Sequence, residues 1–279
     1  MDEGEGVMAQ QHDGDPARAV DGSDGAIAAK RARLRELHVP GRPLVLPNIW
    51  DAASARTVAA AGFPAVATSS AAVAAVLGYE DGEATPAAEA LAQVARVAAA
   101  VPLPVTADME RGYGFAPAEF AERIAAAGVA GVNLEDSDPR TGAMVEVAEQ
   151  IRFLAAVRAA GTGLVINARV DSFVHGTGTP EERLADAVAR GRAYLEAGAD
   201  CVYPILVSDT ETIRALVTGV GGPVNILYRP GVPSIAELAS LGVARVSFGG
   251  GLHAAAQAHL ATLVSAIADG ADPYGAPRG

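Results

Sequence analysis

Two carboxylates one residue apart, Asp108 and Glu110, end the apolar run Leu103-Pro-Val-Thr-Ala and lead at once into Arg111-Gly-Tyr113-Gly114. A strand that closes on acids and then breaks into glycines holds hard oxygen donors at the rim of a sheet, with room above for a small molecule. That is the donor chemistry of Mg2+ or Mn2+. A lone acidic pair among 33 Asp and Glu would more simply be a solvated loop. Here the pattern repeats: Gly131-Val-Asn-Leu ends in Glu135-Asp136, and Leu164-Val-Ile-Asn167 runs on to Arg169 and Asp171.

Elements that could bring these ends together are legible in the spacing. Short apolar runs recur at Leu44-Val-Leu, Ala65-Val-Ala, Pro104-Val-Thr-Ala, Gly131-Val-Asn-Leu, Leu164-Val-Ile-Asn, Cys201-Val-Tyr, Val224-Asn-Ile-Leu and Arg245-Val-Ser-Phe. Between them lie alanine-rich amphipathic stretches. Several close on a glycine suited to a helix end (Gly62, Gly128, Gly161, Gly198, Gly242), and several open on Asp51, Thr85, Thr179, Asp209 or Ser234, with Pro86 and Pro180 at the first helical position. Strands each followed by a helix predict an α/β fold, a (β/α)8 barrel; a doubly wound open sheet is the alternative, since strand count does not prove closure. Residues 1–25, rich in Gly, Asp and Gln, are expected to be a disordered tail ahead of a short basic helix from Ala28 to His38. Residues 26–270 then form one barrel domain and 271–279 a C-terminal tail.

In a barrel the C-terminal strand ends share one face. Asp108, Glu110 and Glu135 are therefore expected to converge with Asp81, from Gly78-Tyr-Glu-Asp-Gly82, around a hard divalent cation, Asp108 directly and the others through water. Arg169 supplies a forked donor for a substrate carboxylate; the alternative is a structural pair with Glu135 or Asp171. Ser69 and Ser70, at the end of the second strand, allow backbone N–H groups close to an anion or are plain packing. Together these residues make a site for a small 2-oxo acid whose bond at C3 breaks while a metal draws off the electrons.

Composition narrows the partners. A net charge of -12 with no basic run argues against nucleic acid and anionic membranes. No segment predicts a membrane span or a secretory signal, and the one cysteine, Cys201, excludes an intrachain disulfide, so a cytoplasmic location is expected. Lys30, the only lysine, precedes the first strand, which disfavours Schiff-base chemistry and a Walker-type phosphate loop.

The segments Thr106-Ala-Asp108-Met-Glu110-Arg-Gly-Tyr-Gly, Val132-Asn-Leu-Glu135-Asp136 and Asn167-Ala-Arg169-Val-Asp171 resemble the isocitrate lyase and phosphoenolpyruvate mutase superfamily, as do Pro47-Asn-Ile-Trp-Asp51 and Asn225-Ile-Leu-Tyr-Arg-Pro-Gly. The resemblance spans about residues 30–265. It implies a (β/α)8 barrel with a swapped C-terminal helix in a homodimer or homotetramer, Mg2+ or Mn2+ as cofactor, and 2-oxo acid or enolpyruvate chemistry. It further implies a metal shell of Asp108, Glu110, Glu135 and Asp81. Substrate binding would fall to Ser69, Ser70, Ala71, Asp108, Asn133, Arg169 and Asn225, and catalysis to Arg169, Glu135 and Tyr113.

Departures from the superfamily narrow the reaction. Lyases carry a Lys-Lys/Arg-Cys-Gly-His lid after the fourth strand; here the place reads Ser137-Asp-Pro-Arg140-Thr-Gly142-Ala. Cys201, at the start of the sixth strand, lies at the wrong end of the barrel to replace the missing thiol and is expected to be a buried structural residue. Asn133 stands where lyases place a histidine, and Ile205 where they place a glutamate. Decarboxylation or a retro-aldol or retro-Claisen cleavage asks least of the lid, with water, Tyr113 or Tyr203 delivering the proton. A phosphonate-forming or phosphonate-cleaving enzyme and a non-catalytic 2-oxo acid binder are the alternatives. His175, in the loop after the fifth strand, is either a proton carrier or an exposed histidine without a role.

Overall fold

The structure, a computed structural model, describes residues 16–275. The chain opens with helix α1 (Pro16–Glu36) and the two short strands β1 (Leu44–Leu46) and β2 (Asn48–Ile49). It continues through α2 (Ala52–Ala60), β3 (Val66–Thr68), α3 (Ser70–Leu77), α4 (Ala87–Ala100), β4 (Val105–Asp108) and α5 (Pro117–Ala126). Next come β5 (Gly131–Glu135), α6 (Val147–Ala159), β6 (Val165–Val170), α7 (Pro180–Glu196) and β7 (Cys201–Pro204). The last elements are α8 (Thr210–Val220), β8 (Asn225–Leu227), α9 (Ile235–Ser240), β9 (Arg245–Ser247) and α10 (Gly251–Ala268).

Strands β2 to β7 are parallel neighbours in chain order, and β1, β9 and β8 form a second parallel run. Two links close the ring. A parallel bridge from Val202 to Val224 joins β7 to the residue before β8, and only Pro47, which has no N–H for the ladder, separates β1 from β2. The barrel is thus closed, with β1 and β2 as two halves of its first strand, and the open-sheet alternative is set aside.

Alternation along the strands divides the residues into two sets. Val105, Ala107, Val132, Leu134, Ile166, Ala168, Val170 and Val202 pack in the large core beneath the helices. Their alternates Thr106, Asp108, Asn133, Glu135, Asn167, Arg169, Cys201 and Tyr203 face the interior. Below them Leu44, Leu46, Ala67 and Val165 form a smaller core that Leu34 of α1 plugs from the stability face. Gly131 makes the plug fit, since a Cβ there would lie 2.7 Å from the Val165 carbonyl oxygen and 2.9 Å from Leu34 Cδ2.

Helix starts follow the expected caps at Asp51, Thr179, Asp209 and Ser234, each accepting a backbone N–H within the first turn. Two boundaries differ. Helix α4 begins at Ala87 with Pro86 as its cap, because Pro86 keeps an extended ψ of 131°. Helix α1 begins at Pro16, so residues 16–25, expected in the N-terminal tail, are helical: once the turns packed on the barrel exist, each added residue extends a helix without a new nucleation cost. Residues 1–15 and 276–279 of the two expected tails lie outside the described residues. Among the described residues no helix is long and apolar enough to cross a membrane.

Candidate active site

A cavity of about 580 Å3 opens at the C-terminal ends of the strands. Ser69, Ser70, Ala71, Asp81, Asp108, Asn133 and Arg169, all expected at the site, line it together. Helix α3 starts at Ser70, so the backbone N–H groups of its first turn face the cavity at the positive end of the helix dipole. The Ser70 N–H and hydroxyl both donate to Asp108 Oδ2, at 3.3 and 3.2 Å. On the other side the Asp108 N–H donates to Thr68 Oγ1 at 2.9 Å, which fixes the strand end.

Arg169 resolves into both of its readings. Its Nη1 lies 2.6 Å from Glu135 Oε2 and its Nε 2.6 Å from Asp171 Oδ1, while the guanidinium lines the cavity. Burial works against its charge, but Glu135, Asp171 and Asp108 more than offset this, and it stays protonated. Nη2 is the donor left for a ligand.

Asn133 is held by its oxygen: Oδ1 accepts from Asn167 Nδ2 at 2.9 Å and from Arg245 Nη2 at 3.1 Å. The side-chain NH2 is therefore the end left for the cavity that Asn133 lines. Tyr203 lines the same volume, and burial pushes its hydroxyl up to about 12, so it remains a donor at neutral pH.

Four expected residues do not reach the cavity wall. Glu110 is drawn into a latch between two loops: its Oε2 accepts from the Glu83 N–H at 2.6 Å, and Glu83 Oε1 in turn accepts from the Tyr113 N–H at 2.7 Å. Tyr113 turns its hydroxyl to Glu110 Oε1 at 3.1 Å and does not line the cavity, whereas Tyr203 does. Asn225 is buried below the cavity, where its amide exchanges hydrogen bonds with the Ser247 hydroxyl. Glu135 also stands behind Arg169 rather than on the wall. Its neighbour Asp136 points the other way, as alternation requires, and accepts from the Tyr194 hydroxyl at 2.7 Å under α7. His175 is exposed and outside the cavity, and Cys201 is buried, its thiol pushed up to about 12 by burial.

Among the described residues no three His, Cys, Asp or Glu side chains are grouped to hold one ion, so the four expected acids do not form a direct shell. Their electrostatics nevertheless fit a cation. Burial, with the neighbouring acids adding to it, raises Asp108 and takes Glu110 up to about 7 and Glu135 up to about 9, while Arg169 opposes the rise at Asp108 and Glu135. Arg169 offsets only part of this negative charge, and an all-oxygen donor set with one direct carboxylate would suit Mg2+ or Mn2+, which keeps most of its waters.

Backbone strain marks the same region. The non-glycine residues with positive φ among the described residues are Glu83 (57°), Glu110 (49°), Tyr113 (56°) and Leu206 (68°). Glu110, Tyr113 and Leu206 lie in loops that leave the C-terminal strand ends and Glu83 in the loop between α3 and α4, and the latch joins Glu83, Glu110 and Tyr113.

The sequence pattern of the phosphoenolpyruvate phosphomutase family matches residues 34–268. The chain belongs to this family. An uncharacterized protein of Mycobacterium tuberculosis is 36% identical over 242 residues, covering 83% of this chain and 88% of that one. A provisional phosphonomutase of Burkholderia cenocepacia J2315 has the same fold at a TM-score of 0.80 and 44% identity, covering 85% of this chain and 99% of that one. A 2,3-dimethylmalate lyase, described as a member of the PEP mutase/isocitrate lyase superfamily, matches at a TM-score of 0.74 and 27% identity over 91% of this chain and 90% of its own. The family thus joins lyases and mutases on one barrel, and this chain shares the barrel and the superfamily.

Sequence reasoning missed the far side of the cavity. Leu227, Tyr228, Arg229, Phe248 and residues 249–252 line it from the loops after β8 and β9. Their position just past two strand ends was a usable signal, but none carries an acid or a histidine that would draw attention to it.

Proposed function

We propose that this chain is a divalent-cation-dependent carbon–carbon lyase, a decarboxylase or retro-aldol enzyme, acting on a small 2-oxo acid or related diacid. The observation that carries the reading is the cavity floor, where the Asp108 carboxylate, the Arg169 guanidinium and the Ser70 N–H end of α3 face one volume with a protonated Tyr203 beside them. Asp108 would hold Mg2+ or Mn2+ directly, with Asp81, Glu110 and Glu135 reached through water. When bound, such an ion supplies an electron sink at the 2-oxo oxygen.

The chain's own groups supply the rest. Arg169 Nη2 and the Asn133 NH2 bind the acid head and set its orientation. Breaking the bond at C3 leaves a carbon that must take up a proton, and the Tyr203 hydroxyl faces the cavity with a proton to give. The loop from Ser137 to Val145 contributes nothing to the cavity wall, which favours a cleavage needing one proton donor over a reaction needing a lid-borne acid and base.

Oxaloacetate with Mg2+ tests the reading: pyruvate and CO2 should appear, and should vanish with EDTA and in Asp108→Asn. Phosphate release from phosphonopyruvate would point instead to the phosphonate branch. Binding of 2-oxo acids that depends on Mg2+ and Asp108, without turnover across a panel, would make the protein a binder.

We also propose that the chain works as a homodimer or homotetramer. No residue of α10 is buried in the single chain, which leaves an apolar helix without a partner surface.

A further inference from the structure

The cavity is larger than its acid floor requires. At about 580 Å3 it falls in the range that encloses a drug-sized molecule, well beyond a three- or four-carbon acid. Its charged and hydrogen-bonding floor comes from the ends of β3 to β6, through Ser70, Asp108, Asn133 and Arg169. The other half of the ring, past β7, β8 and β9, brings Ile205, Leu227, Tyr228, Val232, Phe248 and Leu252. Ile205, Leu227, Phe248 and Leu252 belong to neither hydrophobic core, so packing of the fold does not explain their apolar surface.

This wall is preorganised. The Tyr228 and Phe248 rings stack at 5.5 Å between centroids with a 55° tilt. Arg229 Nη2 donates to the Leu206 carbonyl at 2.8 Å and ties the loop after β8 to the loop after β7. Leu206 itself holds a left-handed φ of 68° within that tie.

We propose that the wall is a specificity subsite for an apolar substituent, and that the substrate is a 2-oxo acid bearing a branched-alkyl or aryl group on C3. The acid head rests on the Asp108–Arg169 floor as in the proposed function, and the substituent lies against Tyr228 and Phe248. Both rings come from the loops after β8 and β9 and not from the acid floor, so the wall would set which acid is accepted rather than how its bond breaks.

Calorimetry of the full chain with Mg2+ compares pyruvate and phenylpyruvate as probes that share a head and differ in the substituent. Phenylpyruvate should bind about tenfold or more tightly than pyruvate, the gain expected from burying one ring. Phe248→Ala and Tyr228→Ala should each erase most of that advantage while leaving pyruvate affinity unchanged, which also shows that the variants are folded. Equal affinities in the wild type, or an advantage that survives both substitutions, would overturn the subsite while pyruvate binding kept the head-group reading intact. If neither probe bound with Mg2+ present, the head-group reading would fail and the subsite with it.

Discussion

Asn133 shows how a neutral side chain acquires a direction. Both donors on its oxygen, Asn167 and Arg245, are buried, and the amide cannot flip without leaving those donors against a like group. Asn133→Asp should therefore keep the Arg245 contact yet turn a carboxylate oxygen toward the cavity. Against an anionic substrate, KM should rise by roughly 10- to 100-fold with a smaller change in kcat, as steady-state kinetics would show. The type of this residue was readable in the sequence, at a place where lyases differ. Its orientation was not, because Arg245 lies 112 residues away in the chain.

Helix α1 and the loop that follows it close the barrel from below. His38 is buried there with Nδ1 donating to the Leu34 carbonyl at 2.8 Å, and burial, with Arg245 adding to it, lowers its pKa to about 4. The unfolded chain takes up this proton near pH 6.5, so between about 6.5 and 4 it binds more protons than the fold. The stability this group contributes should fall by about 3 kcal/mol as pH drops through that window, and its contribution should be flat above it. Urea melts at pH 7 and pH 4.5 should show a smaller acid loss in His38→Gln than in the wild type. The same junction makes Gly131→Ala costly, since its Cβ would press on the Val165 carbonyl and Leu34. A loss of about 1–3 kcal/mol is expected in denaturant unfolding. The sequence shows the helix and the strand, each by its own periodicity, but not that Leu34 meets Gly131.

At the scale of the whole molecule, α10 stands apart. Leu260, Val264 and Ile267 are 51, 55 and 59% exposed and fall on one helical stripe. Light scattering should give two or four times the chain mass, and replacing the three with Ser should shift the protein to monomer while the barrel keeps its circular dichroism. A monomeric wild type would sink the proposed assembly.

The local features belong to the sequence by itself. Short apolar runs, helix caps at Asp51, Thr179, Asp209 and Ser234, and acids at strand ends each depend on neighbours within a few residues, and all are present in the structure. Closure of the ring, the withdrawal of Glu110 and Tyr113 behind the floor, and the meeting of Tyr228 with Phe248 were decided only by tertiary structure. The reason is geometric: side chains on the rim of a closed barrel compete for the same partners, and Glu83 reaches Glu110 before the cavity does. A residue's chemistry is written in its type, whereas which neighbour claims it depends on loops that the chain brings together only by folding.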